Sequence, residues 1–416
     1  MVYNAVMINF CSAKYTELIG SHKCDCGDRH DFFVRCLLEH GAFERMSAYL
    51  SDITPPMSRV VLMYDDEQLM NEIYASIKRD YRVVSINAED DKKKIELVAL
   101  PEDTKLIIAI GSLAAINAAK YKAYLLDIAV VIATLPYYSV LNNQCVVNDG
   151  GLYLTYIVNE PKGFIFDLDS KLTDADMAAL FGTVAARLNS EFELYATALL
   201  NKSEYCPFIS GAISDISAKA ILDAASLSTH ALKDMLLESA LKLALLGRLV
   251  ARGGEVQCAL TYSMLGSSEF SLGELEFIFA AVLSPLYKSH ITRRKSFLPP
   301  PDNNYRLEQI SSFFGISEHK AIRLILPQIS GKDAAIAEYK IREYTKDLTE
   351  KLNKNINLYR LAFKTFKRLY FDDGYSLDGF ESGDISLCIA LAPDIIQGSG
   401  MLTALKRLGE LDAYIV

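Results

Sequence analysis

Residues 105–136 read KLIIAIGSLAAINAAKYKAYLLDIAVVIATLP. A β-branched run, one glycine, an alanine-rich stretch and a second β-branched run predict strand, tight turn, helix and strand. Both strands are apolar on both faces, which suits a parallel sheet covered by helices on each side. Such a unit builds a crevice at its strand ends, where a helix N-terminus offers backbone N–H groups to phosphate oxygens. Gly111 stands alone where phosphate-binding turns carry two or three glycines. Leu113 and Ala114 fill the places where a pyrophosphate needs bare backbone. The turn has the architecture of a nucleotide site with its chemistry thinned out.

A chain of 416 residues is long for one core and predicts two domains. With 51% of its residues hydrophobic there is material for a large core. No segment approaches the roughly 18 uninterrupted apolar residues of a spanning helix, so no membrane is expected. The richest run, residues 124–135, is interrupted by Asp127 and ends at Pro136, and reads as a buried strand. Residues 1–11 are apolar but lack a basic start and a small-residue cleavage site, which predicts a cytoplasmic protein. A net charge of −9 argues against nucleic acid as a partner, since phosphate backbones need a basic footprint. The basic stretches Arg293-Arg294-Lys295 and Lys364-Thr365-Phe366-Lys367-Arg368 read as solvated faces. Eight cysteines, at 11, 24, 26, 36, 145, 206, 258 and 388, lie mostly in apolar surroundings and read as reduced core thiols.

Along the chain, residues 59–65, 82–87, 105–110, 129–134 and 163–167 are predicted strands, and residues 66–79 a helix with Leu69, Ile73 and Ile77 along one face. The character changes near Asp169. Thr173-Asp174-Ala175-Asp176 has the form of a capping box, and helices are predicted over 174–200, 230–252, 272–286, 334–352 and 357–370. The expected organisation is an α/β Rossmann-like domain over residues 1–168 and a helical domain over residues 169–416, with a cleft between them.

Several short segments add to this order: CDCGDRH at 24–30, YDD at 64–66, IGSLAAIN at 110–117 with Lys120 and Tyr121 beyond it, TLP at 134–136, FGTVA at 181–185, GGEV at 253–256, LGE at 272–274 and the apolar stretch 385–411. From about residue 24 to residue 411 they resemble, in sequence order, the iron-containing alcohol dehydrogenase and dehydroquinate synthase superfamily, and within it the sn-glycerol-1-phosphate dehydrogenase branch. The resemblance implies a dehydroquinate synthase-like fold, with an NAD(P)-binding α/β domain ahead of a helical domain that holds a catalytic Zn²⁺ or Fe²⁺. It places Asp65 near the cofactor ribose, Gly111 and Ser112 in the pyrophosphate turn, and Thr134 at the start of the family's TAPS segment. Leu113 and Asn117 depart from the glycine and aspartate of that turn. Tyr137 and Tyr138 stand where small residues are expected, and would close the crevice, stack on a ligand or pack.

The metal positions depart further. The resemblance puts Ala185 where an AGxGD aspartate would be, Val256 where the GxEH histidine would be, and Leu272 where the HGE histidine would be. None of the three side chains has a donor atom, so no catalytic Zn²⁺ or Fe²⁺ is expected in the cleft. Such a metal acts as a Lewis acid on the substrate hydroxyl before hydride leaves. The closing stretch likewise carries Gln397–Gly400 where the family has an Arg and a Tyr. His230, His290 and His319 lack a partner at i+3 or i+4 and read as ordinary surface or core histidines. Near the start, Cys24, Cys26 and His30 offer three zinc ligands, with Cys36 or His22 as a fourth. A reduced turn is the other reading, favoured because the spacing matches no standard zinc finger.

The leading expectation is a degenerate glycerol-1-phosphate dehydrogenase-like protein without metal-dependent hydride transfer, with a nucleotide, a small molecule or a protein partner as its ligand. NAD(P) stays open as a cofactor. The alternative is an active NAD(P)-dependent dehydrogenase acting on a polyol phosphate such as glycerol 1-phosphate, with Glu255 and Glu274 as the ionisable groups facing the cleft. A third reading makes the chain a subunit of a homo-oligomer or larger assembly, docking through Ala413-Tyr414-Ile415-Val416.

Overall fold

The computed structural model describes residues 21–411 except 24–28, 32–33, 139, 202–204, 228, 248–252, 265–269, 294–301, 326–330, 371–381, 397 and 399. Cys24, Cys26 and the C-terminal residues 413–416 lie outside the described residues, as does the side chain of His30.

The first half holds strands β1 (Ser21–Lys23), β2 (Arg29–Asp31), β3 (Arg35–Glu39), β4 (Arg59–Tyr64), β5 (Arg82–Asn87), β6 (Thr104–Ile110), β7 (Ala129–Ala133), β8 (Gln144–Asn148), β9 (Tyr153–Ile157) and β10 (Gly163–Asp167). Between them lie helices α1 (Met46–Ser51), α2 (Glu67–Ile77), α3 (Lys92–Leu97) and α4 (Leu113–Leu126). Six strands form a parallel sheet in the order β3-β10-β7-β6-β4-β5, and β1–β2 and β8–β9 form antiparallel pairs. Leu37, Val60, Leu62, Leu106, Ile108, Val131 and Ile165 are buried in one core with Ile73 and Ile77 of α2.

The five predicted strands all form. Residues 124–135 differ from expectation: Tyr124, Leu125 and Leu126 are the exposed last turn of α4, and the strand begins only at Ala129. Asp127 ends the helix in a left-handed conformation at φ 50°. An αL residue at that point cannot continue an α-helix. Edge strand β3 is not among the predicted strands. Its five residues are too short to show a period, and its place depends on contacts distant in sequence. Tyr49 donates its hydroxyl to the Arg35 carbonyl at 2.8 Å, lying where Gly163 of the neighbouring strand has no side chain.

The second half is helical: α5 (Asp174–Ala186), α6 (Ser190–Asn201), α7 (Pro207–Ala224), α8 (Thr229–Gly247), α9 (Gly254–Ser263), α10 (Leu272–Thr292), α11 (Asn303–Phe314), α12 (Glu318–Ala321), α13 (Gly331–Glu343), α14 (Thr345–Tyr370), α15 (Ser382–Ile395) and α16 (Met401–Arg407). The capping box opens α5, with the Asp176 N–H donating to Thr173 Oγ1 at 3.1 Å and the Thr173 N–H to Asp176 Oδ2 at 2.8 Å. The predicted helix over 174–200 is instead two helices joined by a 3₁₀ turn at Arg187–Asn189. That turn aims two buried polar side chains at neighbouring helices: Arg187 at Glu255 and Glu276, and Asn189 at Ser284. The predicted break between 352 and 357 is absent. Leu348, Leu352, Tyr359, Ala362 and Phe366 carry one buried stripe along the whole of α14, at spacings that keep them on one helix face.

Contacts divide the chain into two units, Met1–Leu172 with Ala240–Leu249, and Thr173–Ser239 with Val250–Val416. The last turns of α8 therefore belong with the α/β unit, where Gly247 lies against the Tyr138 ring.

Candidate functional site

The order of the sheet locates the crevice of the α/β unit. From β4 the chain proceeds outward to β5, while from β6 it proceeds the other way to β7. The topological switch point lies between β4 and β6, and ligands of open α/β sheets bind outside the carboxyl ends of such a pair. At those ends stand Asp65, just after β4, and Gly111-Ser112, just after β6.

The three residues are in contact. Gly111 has φ 108°, a conformation that L side chains rarely adopt. A Cβ there would lie 1.9 Å from Asp65 Oδ1, so the carboxylate rests directly over the glycine. The Ser112 N–H donates to Asp65 Oδ1 at 2.8 Å and the Ser112 hydroxyl donates to Asp65 Oδ2. Ser112 also caps α4 by accepting from the Ala115 N–H. From the other side, Thr134 donates its hydroxyl to the Gly111 carbonyl. The four predicted cofactor-side residues, Asp65, Gly111, Ser112 and Thr134, are thus brought together and hydrogen-bonded to one another. Asp65 and Ser112 remain exposed at this mouth.

Residues around the turn are structural. Lys120, buried in α4, places its ammonium among the carbonyl oxygens of Val140 (3.3 Å), Asn142 (2.7 Å) and Gln144 (2.6 Å). A buried ammonium needs such compensation, and the cage fixes the segment leading into β8. Tyr121 donates to Glu96 at 2.9 Å and meets the Tyr156 ring at 5.0 Å between centroids. Of the tyrosine pair, Tyr138 is buried and packs on Gly247, while Tyr137 is partly exposed.

In the helical unit, Ala185 and Val256 are buried on α5 and α9, and Leu272 is partly buried at the start of α10. The residues beside them have definite structural partners. Gly182 and Gly273 let α5 and α10 approach backbone to backbone: a Cβ on Gly182 would lie 2.4 Å from the Gly273 carbonyl oxygen, and one on Gly273 would lie 2.1 Å from that of Ala179. Glu274 is the carboxylate of a second capping box, accepting from the Ser271 N–H at 2.7 Å. Glu255 is buried and accepts from Arg187 at 2.8 Å. Of the two acids named from sequence, Glu255 is thus ion-paired with a guanidinium and Glu274 holds a helix start.

Arg187 bridges Glu255 and Glu276, and a third buried acid, Glu193, accepts from the Met401 N–H at 2.8 Å. Three buried carboxylates accompany this guanidinium. Burial first, and then the neighbouring Glu255, push Glu193 up to about 7. Burial likewise raises Glu276 to about 7, against the pull of Arg187. The Tyr287 phenol, buried beside Glu193, is pushed well up by the same burial. Gly400 is explained by this cluster, since a Cβ there would lie 2.3 Å from Glu193 Oε2. Arg187, Glu193 and Glu276 are not among the site residues expected from sequence. Only Arg187 carries a visible signal, a lone charge in the apolar stretch between Asp176 and Glu191.

Among the described residues, no three His, Cys, Asp or Glu side chains form a group able to hold a metal ion. The donor set at Ala185, Val256 and Leu272 does not fit Zn²⁺ or Fe²⁺, which need N, O or S ligands. Cys36, considered as a fourth zinc ligand, is fully buried in β3 with its thiol donating to the Val34 carbonyl at 3.7 Å. His290 is buried against Glu410 at 3.0 Å, and His319 is exposed. Arg293, read as part of a solvated basic stretch, instead joins Glu410 at 2.5 Å, whereas Lys364 and Lys367 are exposed on α14. Burial pushes the Cys388 thiol up to about 12 and that of Cys258 well above its ordinary value, as befits inert core thiols. No described helix is long and apolar enough to cross a membrane.

No protein-family model matches the chain, and no curated protein matches it in sequence. Solved structures do match in fold. A 1,3-propanediol oxidoreductase superimposes with a TM-score of 0.58 at 11% identity, over 91% of this chain and 97% of that one. Sulfoacetaldehyde reductase from Bifidobacterium kashiwanohense, solved with NAD⁺, gives 0.56 at 8% identity over 95% and 99%. The iron-containing alcohol dehydrogenase from Thermococcus thioreducens gives 0.54 at 12% identity over 92% and 98%. At such identities the likeness is one of architecture: a parallel α/β sheet followed by a mostly helical region, the fold of iron-containing alcohol dehydrogenases.

Proposed function

We propose that this chain is a degenerate member of the glycerol-1-phosphate dehydrogenase-like group that has lost metal-dependent hydride transfer and acts by binding a small molecule or a protein partner. Residues 1–168 would be the former cofactor side and residues 169–416 the former metal side. The observation that carries the reading is the donor-free set Ala185, Val256 and Leu272, whose neighbours hold the helices in place: Gly182 and Gly273 at a helix crossing, Glu274 in a capping box, Glu255 on Arg187. An enzyme of this type needs a Lewis acid to lower the pKa of the substrate hydroxyl, and these side chains supply no ligand for one.

Metal analysis of the protein purified without chelators tests this directly. Less than about a tenth of a metal ion per chain is expected. Stoichiometric zinc or iron, or steady oxidation of NAD(P)H by dihydroxyacetone phosphate after metal addition, would overturn the reading in favour of an active polyol-phosphate dehydrogenase.

A further inference from the structure

The crevice at the β4/β6 switch point raises a separate question: what occupies the phosphate seat of the turn. In open α/β sheets a dinucleotide places its pyrophosphate against the backbone N–H groups of this turn and the helix behind it. Here an anion is already there. Asp65 accepts from the Ser112 N–H at 2.8 Å through one oxygen and from the Ser112 hydroxyl through the other. It lies so close over Gly111 that a Cβ would be 1.9 Å from Oδ1. The carboxylate is held from behind as well, because the Asp65 N–H donates to the Ile110 carbonyl at 3.3 Å and continues the pairing of β4 with β6.

We propose that Asp65 is the built-in anion of this turn, and that it bars phosphate-bearing ligands from the N-terminus of α4. The proposal carries the reading above to the other half of the chain, and rests on it for the identity of the crevice. Three effects act together. The two donors of Ser112 are engaged, the space over Gly111 is filled, and a fixed negative charge repels an incoming phosphate at short range. The shape of the turn does not depend on Asp65 alone, because Thr134 donates to the Gly111 carbonyl from the opposite strand end. Removing the carboxylate should therefore leave a formed turn with two unoccupied donors.

Calorimetric titration of ADP into the full-length chain tests this, with the wild type, Asp65→Ala and Asp65→Asn compared and adenosine as the phosphate-free control. The wild type should show no binding at about 1 mM ADP, and Asp65→Ala should gain at least about tenfold in affinity. Asp65→Asn should gain less, since its amide still fills the seat after the charge is gone. It is close enough in shape to carry the comparison if the alanine variant does not fold. Adenosine should show no gain. ADP binding absent from both variants would overturn the proposal and point to Leu113 and Ala114 as the obstruction. Wild type binding ADP as tightly as the variants, or adenosine gaining as much as ADP, would overturn it too. None of these results bears on metal content, which decides the loss of hydride transfer on its own.

Discussion

Ala185, Val256 and Leu272, the positions in the helical unit that the sequence resemblance sets against metal ligands, carry no donor atom, whereas the residue after β4 is an acid, Asp65. The first arrangement removes donor atoms. The second keeps a carboxylate and turns both its oxygens on Ser112, one accepting from the backbone N–H and the other from the hydroxyl. The contrast extends to the surroundings. Buried charges tie the helical unit together through Arg187, Glu193, Glu255 and Glu276, while the turn beneath Asp65 is open to solvent. One substitution at Asp65 changes an exposed turn, whereas new donors at 185, 256 and 272 would enter packed helices.

The comparison can be broken most forcefully at Arg187. Truncation to alanine leaves Glu255 and Glu276 buried without their guanidinium, which should cost about 3–5 kcal/mol. Urea unfolding checks it, and a loss below about 1 kcal/mol would mean the acids are already neutral or reach water.

The next effect is one of pH. Glu193 and Glu276 titrate at about 7 when folded and near 4.5 as free side chains. The folded state holds their protons more tightly, so their stabilising contribution is complete below pH 4.5 and is lost as the pH rises through about 7. Each shift corresponds to a few kcal/mol at most, and the two are coupled through Glu255 and do not add. Melting temperature should fall between pH 4.5 and 7, and Glu193→Gln, which imitates the protonated acid, should flatten that slope. A melting temperature that climbs over this window would contradict the assignment.

A third test addresses the helix crossing. Gly182→Ala drives a methyl toward the Gly273 carbonyl, an overpacking expected to cost about 1–3 kcal/mol in the same unfolding measurement. The smallest effect belongs to the turn. Asp65→Asn removes charge from exposed hydrogen bonds and should change stability by about 1 kcal/mol or less, even though it alters anion binding. If Asp65→Asn destabilised the protein more than Arg187→Ala, the contrast between a charge-tied helical unit and a loosely closed turn would be wrong.

What the chain's local chemistry determined is considerable. Period and β-branching placed β4, β5, β6, β7 and β10, and Thr173 with Asp176 marked the first helix of the second half, because these signals act over a few residues. Short or irregular elements escaped: β3, the β8–β9 pair and the 3₁₀ turn at Arg187 acquire their form from partners far along the chain. The site was legible to the same extent. Asp65, Gly111, Ser112 and Thr134 could be named from sequence, and the structure brings them together. Where Asp65 points could not, since it depends on β4 and β6 lying side by side, with 45 residues of sequence between Asp65 and Gly111. Glu255 and Glu274 looked alike as acids beside glycines. Glu274 has Ser271 three residues before it, the local form of a capping box, whereas only tertiary structure gave Glu255 to Arg187, because a carboxylate's role is set by the donor that reaches it.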